Sequence, residues 1–390
     1  MTKNKTILGK EFNFINERWR FSPIKDLQKL DFFDNTKAIS NSINKPYIDG
    51  AINIKVHNGE IINKSSIPKD LNIKEYSRKR LSSIKDLDEY VNTLKNAKYY
   101  FEEKNALETE YFIIITLKEN QVIRKPIHLC FEQKSKKETA RIFFNCKENS
   151  QLTVIESYIN PIENSYKNSV LEFNLGQNCH LDHYCIQNGN NANWLFYTYG
   201  VNQGKNSTFN SNILSLSGFR NINELHCDLN EEGAQAEISG LYISDKKSHR
   251  DFHTKIVHSH PKTYSSETFK GILSDESSGI FNGIVVVEKD AQMINSQQIN
   301  RNLLLSKNAR IKSNPQLEIY ADDVKCTHGS TIGQIDDDAL FYMRSRGISE
   351  VDAIKILIKG FAGEIIDKIR IKAIIEFAET KIMNIVGNNK

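Results

Sequence analysis

The chain has 390 residues, 39% of them hydrophobic and 26% charged, and this ordinary composition excludes disordered, collagen-like and coiled-coil proteins. Its 52 lysine and arginine residues and 48 aspartate and glutamate residues are mixed along the sequence, and the net charge of +4 argues against a nucleic-acid partner. No apolar stretch is long enough for a signal peptide or a membrane span, and the six cysteines are too scattered for a disulfide framework, so we expect a soluble cytoplasmic protein with reduced thiols.

The first region, residues 1–108, carries mixed patterns that predict a small α+β unit. Residues 51–56 alternate between apolar and polar side chains, which is typical of a strand. Residues 71–98 are largely polar and predict a helix, because apolar residues recur there at helical spacing: Leu87, Tyr90, Val91 and Leu94.

Residues 109–335 consist of short apolar runs separated by turn residues, with hardly any helical periodicity. A polar turn, a small residue and an apolar strand recur, and the small residues are Ser150, Cys179, Ser207, Ala234, Ala291 and Ala309. The first four are 27 to 29 positions apart, and the next interval, from 234 to 291, is about twice as long. A period of about 28 in a strand-rich region favours a parallel β-helix, which is a solenoid of stacked coils. The alternative is a β-sandwich, whose strands recur without this longer period.

Residues 336–390 predict a helical region. A first helix ends at Gly347, and Ser349 caps a second helix in an S-x-x-D pattern with Asp352. The apolar stripe of the second helix comprises Ile354, Leu357, Ile358 and Phe361. A third helical stretch is expected over residues 365–385. These helices either cap the end of the solenoid or dock on a partner protein.

Cys326 and His328 are the first candidate site. They are two positions apart, so both side chains project from the same face if the segment is a strand. A thiolate and an imidazole so placed could share a soft metal such as iron or zinc, but a tetrahedral site would be half empty. A second chain or other coils would have to complete it. The alternative is structural: a small buried cysteine beside a hydrogen-bonded histidine.

Cys179, His183 and Cys185 form a second candidate group. As parts of one strand they share a face, and they could meet one metal ion. However, Leu181 lies among them on the same face, and Cys179 occupies a recurrent small-residue position. Packing in the interior is therefore favoured over metal binding. We expect the remaining cysteines, apart from Cys326, to pack in the interior as well.

Four histidines within twelve positions form a third group. Alternation places Asp251 beside His253 and His258 beside His260, which allows carboxylate–imidazole pairs. These pairs either form hydrogen bonds within a strand ladder, lie on a subunit surface, or act as an exposed acid–base pair. The sequence contains no H-E-x-x-H, Walker A, G-x-S-x-G or C-x-x-C motif, so neither nucleotide binding nor a conventional hydrolase mechanism is supported.

The segment around Cys326 and His328 resembles a known family. Residues 315–329 read PQLEIYADDVKCTHG, followed by TIG at 331–333 and ALFYMRSRGI at 339–348. This series closely resembles the C-terminal signature of the SufD branch of the SufB/SufD family, the scaffold proteins of the SUF iron–sulfur cluster assembly system. Further similar segments are FKGIL at 269–273, GIFNG at 279–283, QINRNLLL at 298–305 and ERWRFSP at 17–23.

The resemblance implies a mainly β protein, with a right-handed parallel β-helix core between a small N-terminal α+β region and C-terminal helices. SufD-like proteins pair with a SufB scaffold through their β-helices and dock a SufC ATPase on the C-terminal helices. For the chain on its own, a homodimer is an open alternative. The family's assembly site lies at the scaffold interface, where a SufB cysteine faces a histidine that corresponds to His328, with Cys326 beside it. A transient iron–sulfur cluster would form there, and this chain itself would bind no nucleotide.

The resemblance thus predicts a non-enzymatic scaffold that builds and transfers nascent clusters. The candidate ATPase contacts on the C-terminal helices are Leu340, Phe341, Arg344, Arg346, Gly347, Ile354, Leu357 and Phe361. One alternative is the sister scaffold SufB, which is longer in the family and carries further cysteine-bearing signatures. The other is a β-helix enzyme that acts on polysaccharide, which would use clustered carboxylates along an exposed groove.

Overall fold

The computed structural model describes residues 22–29, 48–69, 71–78, 100–160, 162–189 and 192–387. Most of these residues form a β-solenoid, in which the chain alternates between two sheets and each coil adds one strand to each sheet. Neighbouring strands from the second coil onward run parallel and pair over nearly their full length. The predicted mainly β solenoid is confirmed, and the β-sandwich alternative is wrong.

The described residues form one sheet of ten strands and one of nine. The first sheet contains β1 (Ile52–His57), β2 (Glu60–Ile61), β5 (Ile127–Glu132), β7 (Gln151–Asn160), β9 (His180–Gly189), β11 (Thr208–Ser217), β13 (Gln235–Ser244), β15 (Tyr264–Leu273), β17 (Ile294–Leu304) and β19 (Val324–Gly333). The second contains β3 (Asn72–Ser77), β4 (Tyr111–Leu117), β6 (Lys137–Cys146), β8 (Tyr166–Leu175), β10 (Trp194–Gln203), β12 (Arg220–Leu229), β14 (His249–His258), β16 (Ser278–Val287) and β18 (Arg310–Ile319).

The turns before β7, β9, β11 and β13 explain the period of the sequence. Each turn ends in a buried small residue, and these are Ser150, Cys179, Ser207 and Ala234. The residue before each of them has a positive φ, which asparagine and glycine adopt at low cost: Asn149, Asn178, Asn206 and Gly233. Asn178 donates from Nδ2 to Oδ1 of Asn149 at 2.9 Å, so consecutive turns stack in register.

Two of the small residues predicted to mark the period do not belong to the stack of turns before β7, β9, β11 and β13. Ala309 directly precedes β18, which lies in the second sheet. Ala291 comes two residues before Met293, which has the positive φ in its turn. The coil between β15 and β17 is therefore longer than its predecessors, and the small-residue spacing no longer marks equivalent positions.

The interior of the solenoid is one continuous apolar core, because inward-facing side chains from both sheets meet along its length. Parallel pairing places similar side chains on top of one another. The rings of Phe144 and Phe173 stack at 5.1 Å between centroids, and those of Phe131 and Tyr158 at 4.5 Å. Full burial of each such ring stabilises the fold by about 2 kcal/mol. The stacked rings hold neighbouring coils in register.

The N-terminal strands extend the same two sheets. β1 pairs in parallel with β5, which confirms the strand predicted at residues 51–56, and β3 pairs antiparallel with β4. The helix predicted over residues 71–98 is wrong in its first part, because pairing with β4 overrides the weak helical preference of β3. Its predicted apolar stripe, Leu87 to Leu94, lies outside the described residues. The division of the chain at residue 108 stays a prediction.

Four helices lie in the described residues: α1 (Tyr100–Glu108), α2 (Asp337–Ser345), α3 (Glu350–Ile366) and α4 (Lys372–Gly387). The predicted caps are confirmed: Ser349 accepts a hydrogen bond from the main chain of Asp352, and Gly347, with φ 86°, ends α2. The third predicted helical stretch, residues 365–385, is divided between two helices. Ile365 and Ile366 belong to α3, and α4 begins at Lys372. None of these helices has the length and apolar character needed to cross a bilayer.

Helices α3 and α4 pack against the outer face of the first sheet. Their apolar stripes meet the outward-facing residues of β7 to β17, and Ile358, Ala362, Ile374 and Ile382 are fully buried there. Lys270 of β15 fixes α3 from the side, because its Nζ lies 2.6 Å from Oε2 of Glu364 and donates to the carbonyl of Phe361 at 2.8 Å. The C-terminal helices are thus anchored to the coils near the end of the solenoid.

Candidate functional site

The C-terminal end of the solenoid is open. β18 and β19 are the last strands of the two sheets, and no other described strand pairs with their outer edges. Both strands are exposed along much of their length, and the apolar side chains of Ile319, Tyr320 and Ile332 face solvent. An uncovered edge of this kind presents unpaired main-chain donors and acceptors to another strand. It is suited to an interface with a second protein.

Cys326 and His328 lie on β19 at this open end. β19 pairs with β17 so that Cys326 is beside Ser296 and His328 is beside Gln298. Ser296 and Gln298 are buried and face the interior of the solenoid. Since side chains on paired parallel strands point to the same face, Cys326 and His328 continue this inward row onto the exposed terminal coil. The prediction that they share one face is confirmed.

The two side chains differ in environment. Cys326 is half-buried and packs against the apolar core, whereas His328 is exposed. Burial raises the pKa of the Cys326 thiol, and a hydrogen bond from the main chain of Ser296 offsets part of this rise. The thiol is therefore protonated at neutral pH, and a metal ion that binds it must displace the proton.

The donor set suits a soft metal but does not complete a site. Cysteine sulfur and histidine nitrogen are ligands of iron and zinc, which take four ligands in tetrahedral sites. The described part of the chain contains no group of three or more cysteine, histidine, aspartate or glutamate side chains that could hold a metal ion. Cys326 and His328 could supply two ligands, so a complete tetrahedral site would need further ligands from elsewhere.

A row of polar side chains runs from His328 into the interior of the solenoid. Gln298 donates from Nε2 to Oε2 of Glu267, which is its neighbour on β15, at 2.6 Å. Both residues are fully buried. Burial raises the pKa of Glu267 to about 7, although hydrogen bonds from Thr254 and Gln298 act in the opposite direction. Glu267, Gln298 and His328 thus occupy successive positions of one inward row.

The raised pKa of Glu267 predicts a specific pH dependence of stability. The folded state holds the proton more tightly than the unfolded state, whose pKa is 4.5, so this contribution is complete at acidic pH and is lost as the pH rises through about 7. Between pH 5 and pH 8, we expect the free energy of unfolding of the wild-type protein to fall by about 2–3 kcal/mol more than that of the variant Glu267→Gln. Urea denaturation at both pH values measures the difference.

The matched control for this prediction is Glu276→Gln. Glu276 is exposed, so its replacement removes a carboxylate without changing the buried row. Its stability difference from the wild-type protein should be the same at pH 5 and pH 8 within about 0.5 kcal/mol. An equal pH dependence of wild-type protein and Glu267→Gln would show that the carboxyl group of Glu267 titrates normally in the folded state.

The second cysteine–histidine group lies inside the solenoid. Cys179, His183 and Cys185 are at most 1% exposed, and they face the same interior, as predicted. The His183 ring has protein partners on both nitrogens: Nε2 lies 2.5 Å from Oε1 of Glu156, and Nδ1 lies 2.8 Å from Oγ of Ser211. These contacts support packing and internal hydrogen bonding rather than a metal site.

Three of the four histidines of the third group are buried, and Asp251 and His253 do not form an exposed acid–base pair. Asp251 and His253 are buried, with Nε2 of His253 2.8 Å from Oδ1 of Asp251. Ser22, which with Pro23 is the described part of the predicted motif at residues 17–23, donates to Oδ2 of the same carboxylate. His258 is buried and bonds to hydroxyl groups, whereas His260 is exposed. Asp251 and His253 thus form a buried carboxylate–imidazole pair within β14.

One cysteine departs from the expected packing. Cys146, Cys179, Cys185 and Cys227 are buried, as expected. Cys130 is partly exposed instead, and its Sγ lies 3.5 Å from Nδ1 of His128. The reason is its position on β5, where the inward-facing residues are Leu129 and Phe131 on either side of it. Sequence spacing alone did not assign Cys130 to the outer face.

The predicted ATPase contacts on the helices fall into two groups. Phe341, Arg344, Arg346 and Gly347 are exposed on α2 and at its C-terminal end. Leu340, Ile354, Leu357 and Phe361 are half-buried. Among the latter, Ile354 and Phe361 pack against the apolar cluster between the helices and the first sheet. The exposed group on α2 is therefore the part of the predicted surface that is open to a partner.

Sequence reasoning missed other exposed apolar residues of α2 and α3. Tyr342, Val351 and Ile356 are each more than one third exposed, and no residue of α2 is buried. One signal was present in the sequence: residues 340–343 are four consecutive apolar residues. Such a run covers more of the helix surface than a single stripe can bury, so part of it had to face outward. An exposed apolar patch of this kind indicates a binding surface.

Comparison with known proteins agrees with the sequence resemblance. The family model described as SUF system FeS cluster assembly, SufBD core domain, matches residues 130–361. An iron–sulfur cluster assembly SufBD family protein of Synechocystis is 29% identical over 376 residues, which cover 91% of this chain and 83% of that protein. Escherichia coli SufD is 34% identical over 224 residues, 57% of this chain and 53% of that protein. Bacillus subtilis SufD is 26% identical over 231 residues, covering 58% and 53%.

Proposed function

Because this chain belongs to the SufBD family of the SUF iron–sulfur cluster assembly system, we propose that it is a SufD-like scaffold subunit that helps to build and transfer nascent clusters. In this proposal it works in the cytoplasm with a SufB-like scaffold and a SufC-like ATPase, and it catalyses no reaction of its own. The cluster is cargo, held transiently between the two scaffolds. The matched region spans about half the length of the SufD proteins of E. coli and B. subtilis.

The open end of the solenoid supports the pairing with a second scaffold. The outer edges of β18 and β19 are free of described strands, and a partner solenoid could continue both sheets there through main-chain hydrogen bonds. Such a partner would lie directly over the inward row that ends in Cys326 and His328. Its own side chains would then supply the ligands that this chain lacks. Covering the site would also exclude water from the nascent cluster.

The C-terminal helices support the docking of an ATPase. α2 exposes Phe341, Tyr342 and Arg344, and aromatic and arginine side chains contribute most to protein–protein affinity. α3 connects this surface to the solenoid through the contacts of Lys270 with Glu364 and Phe361. Movement of docked ATPase subunits on ATP binding would thereby reach β15, two strands from β19, and bias the scaffold interface between closed and open arrangements.

The observation that carries this proposal is the position of Cys326 and His328 on a strand with a free outer edge at the open end of the solenoid. The test is to co-express the full chain with a SufB-like scaffold and a SufC-like ATPase and to purify the complex. Anaerobic reconstitution with ferrous iron and sulfide should then produce cluster absorption in the visible spectrum. The isolated chain under the same conditions should remain colourless, because it supplies only part of the ligand set.

Three outcomes would overturn parts of this proposal. Failure to co-purify with either protein would reject the SufD-like role. Stable cluster formation on the isolated chain would show that the second scaffold is not required for the ligand set. Assembly with an authentic SufD in place of SufB would assign the chain to the SufB position. A homodimer of the isolated chain that dissociates when the SufB-like scaffold is added would agree with the proposal, because both would compete for the same edge.

A further inference from the structure

One of the buried polar atoms that have no partner in the described residues lies beside the candidate site and belongs to Gln298. Its side chain is fully buried, and its Oε1 has no hydrogen-bond partner within the described part of the chain. A buried carbonyl oxygen without a partner destabilises the folded state, so such an oxygen calls for an explanation. His328 is the neighbour of Gln298 on β19 and belongs to the same inward row. The two side chains are not hydrogen-bonded in this structure, but adjacent strands are about 4.8 Å apart, so rotation of the His328 side chain would bring an imidazole nitrogen to the amide.

Glu267 fixes which end of the amide faces His328. The Nε2 group of Gln298 donates to Oε2 of Glu267 at 2.6 Å, on the side away from the open end. When Glu267 is ionised, its carboxylate accepts from the NH₂ group and has no proton to give to the carbonyl oxygen, so above the pKa of Glu267 the two ends of the amide are not interchangeable. With Nε2 bound on the Glu267 side, Oε1 is left for the opposite side, where β19 lies.

The second sheet leaves room for this arrangement. Gly283 of β16 faces Gln298 across the interior, and a Cβ atom at this position would lie 2.4 Å from Nε2 of Gln298. Any side chain at position 283 would therefore displace the amide from Glu267. Gly283 is partnered in its own sheet by Thr254 and Pro315, neither of which hydrogen-bonds to the amide of Gln298. The amide thus occupies space that the fold keeps open.

We infer that Gln298 is a positioning residue: when the exposed His328 ring turns toward this row, Oε1 of Gln298 accepts a hydrogen bond from one ring nitrogen and leaves the other nitrogen free for iron. The inference rests on the proposed function, because it assigns a role within the same site. Histidine ligands usually donate their second N–H to an oxygen acceptor, which fixes the tautomer and strengthens the ligand, and loss of that acceptor lowers metal affinity about 10–100-fold. Glu267 acts indirectly, because its carboxylate accepts the hydrogen bond that fixes the orientation of the Gln298 amide.

The first experiment measures the tautomer of His328 in the isolated full chain at pH 8, by ¹⁵N-histidine NMR. The wild-type protein should show one dominant tautomer of the His328 ring, and Gln298→Met should shift it toward the mixture of a free imidazole. Methionine has a similar length but no oxygen acceptor. The control Ser296→Ala changes the neighbouring position of the same row, beside Cys326, and should leave the His328 signals unchanged.

The second experiment uses the complex with the SufB-like scaffold and titrates it with ferrous iron alone. Gln298→Met should weaken iron binding about 10–100-fold. The double variant Glu267→Gln/Gln298→Glu exchanges donor and acceptor: the new amide at position 267 would donate to the new carboxylate at position 298, whose second oxygen again faces His328. This double variant should restore both the tautomer and the affinity, which a role in packing alone would not predict.

The outcomes separate this inference from the proposed function. Unchanged tautomer and iron affinity in folded Gln298→Met would overturn the positioning role, even if His328 is essential for cluster formation. Loss of affinity that Glu267→Gln/Gln298→Glu does not restore would also overturn it, since any disturbance of the interior would then suffice. A normal cluster yield in His328→Ala would reject the ligand role of His328, whereas the tautomer measurement would still decide whether Gln298 orients the ring.

Discussion

Replacement of His328 by alanine should reduce iron–sulfur cluster formation in the reconstituted complex at least about tenfold, while the complex still assembles. The imidazole is one of the two candidate ligands on β19, and it is exposed at the open end of the solenoid. Its removal leaves the main-chain edge of β19 intact, so strand pairing with the second scaffold is retained. Size-exclusion chromatography measures assembly, and visible absorption after anaerobic reconstitution measures the cluster.

Thr327→Ala is the matched control for this prediction. Thr327 lies between the two candidate ligands but points to the opposite face of β19, so its replacement changes the same strand without touching the site. Cys326→Ala extends the test: a yield as low as that of His328→Ala would assign the sulfur as a ligand, and a yield near that of the wild-type complex would assign Cys326 to packing. A normal cluster yield in His328→Ala would refute the proposed site.

The solenoid was predictable because its determinants are local. Asparagine or glycine at a positive φ, followed by a small buried residue, marks each turn of the first sheet from Ser150 to Ala234, and the spacing between turns gives the coil length. The prediction lost accuracy where the coil lengthened near Met293, because an insertion shifts every later position. It was wrong for β3, where pairing with β4 decides the structure and local sequence does not.

The candidate site was predictable only in part. Cys326 and His328 are two positions apart on one strand, so their shared face follows from the sequence alone. The row behind them does not, because His328, Gln298 and Glu267 are about 30 residues apart and become neighbours only through the register of three strands. The same limit applies to α2: helical spacing identifies an apolar stripe, but the sheet on which the other helices pack decides which face remains exposed.

Replacement of Phe341 by aspartate should weaken binding of the SufC-like ATPase by about 30-fold or more, which corresponds to a loss of about 2 kcal/mol. Phe341 is 74% exposed on α2, a helix with no buried residue, so the folded chain should tolerate the substitution. Deletion of residues 336–390 should also abolish binding. However, it would uncover the outer face of the first sheet, where α3 and α4 bury residues such as Ile186 and Leu214. The point variant therefore gives the cleaner test.

Leu107→Asp provides the matched control for Phe341→Asp. Leu107 is 65% exposed on α1, a helix that packs on the second sheet, so this variant introduces the same charge on an exposed helical position away from the C-terminal helices. Calorimetric titration of each variant with the ATPase should give wild-type affinity for Leu107→Asp and the large loss for Phe341→Asp alone. Equal affinities of Phe341→Asp and the wild-type chain would place the ATPase elsewhere, and loss of binding in both variants would indicate a general effect of charge.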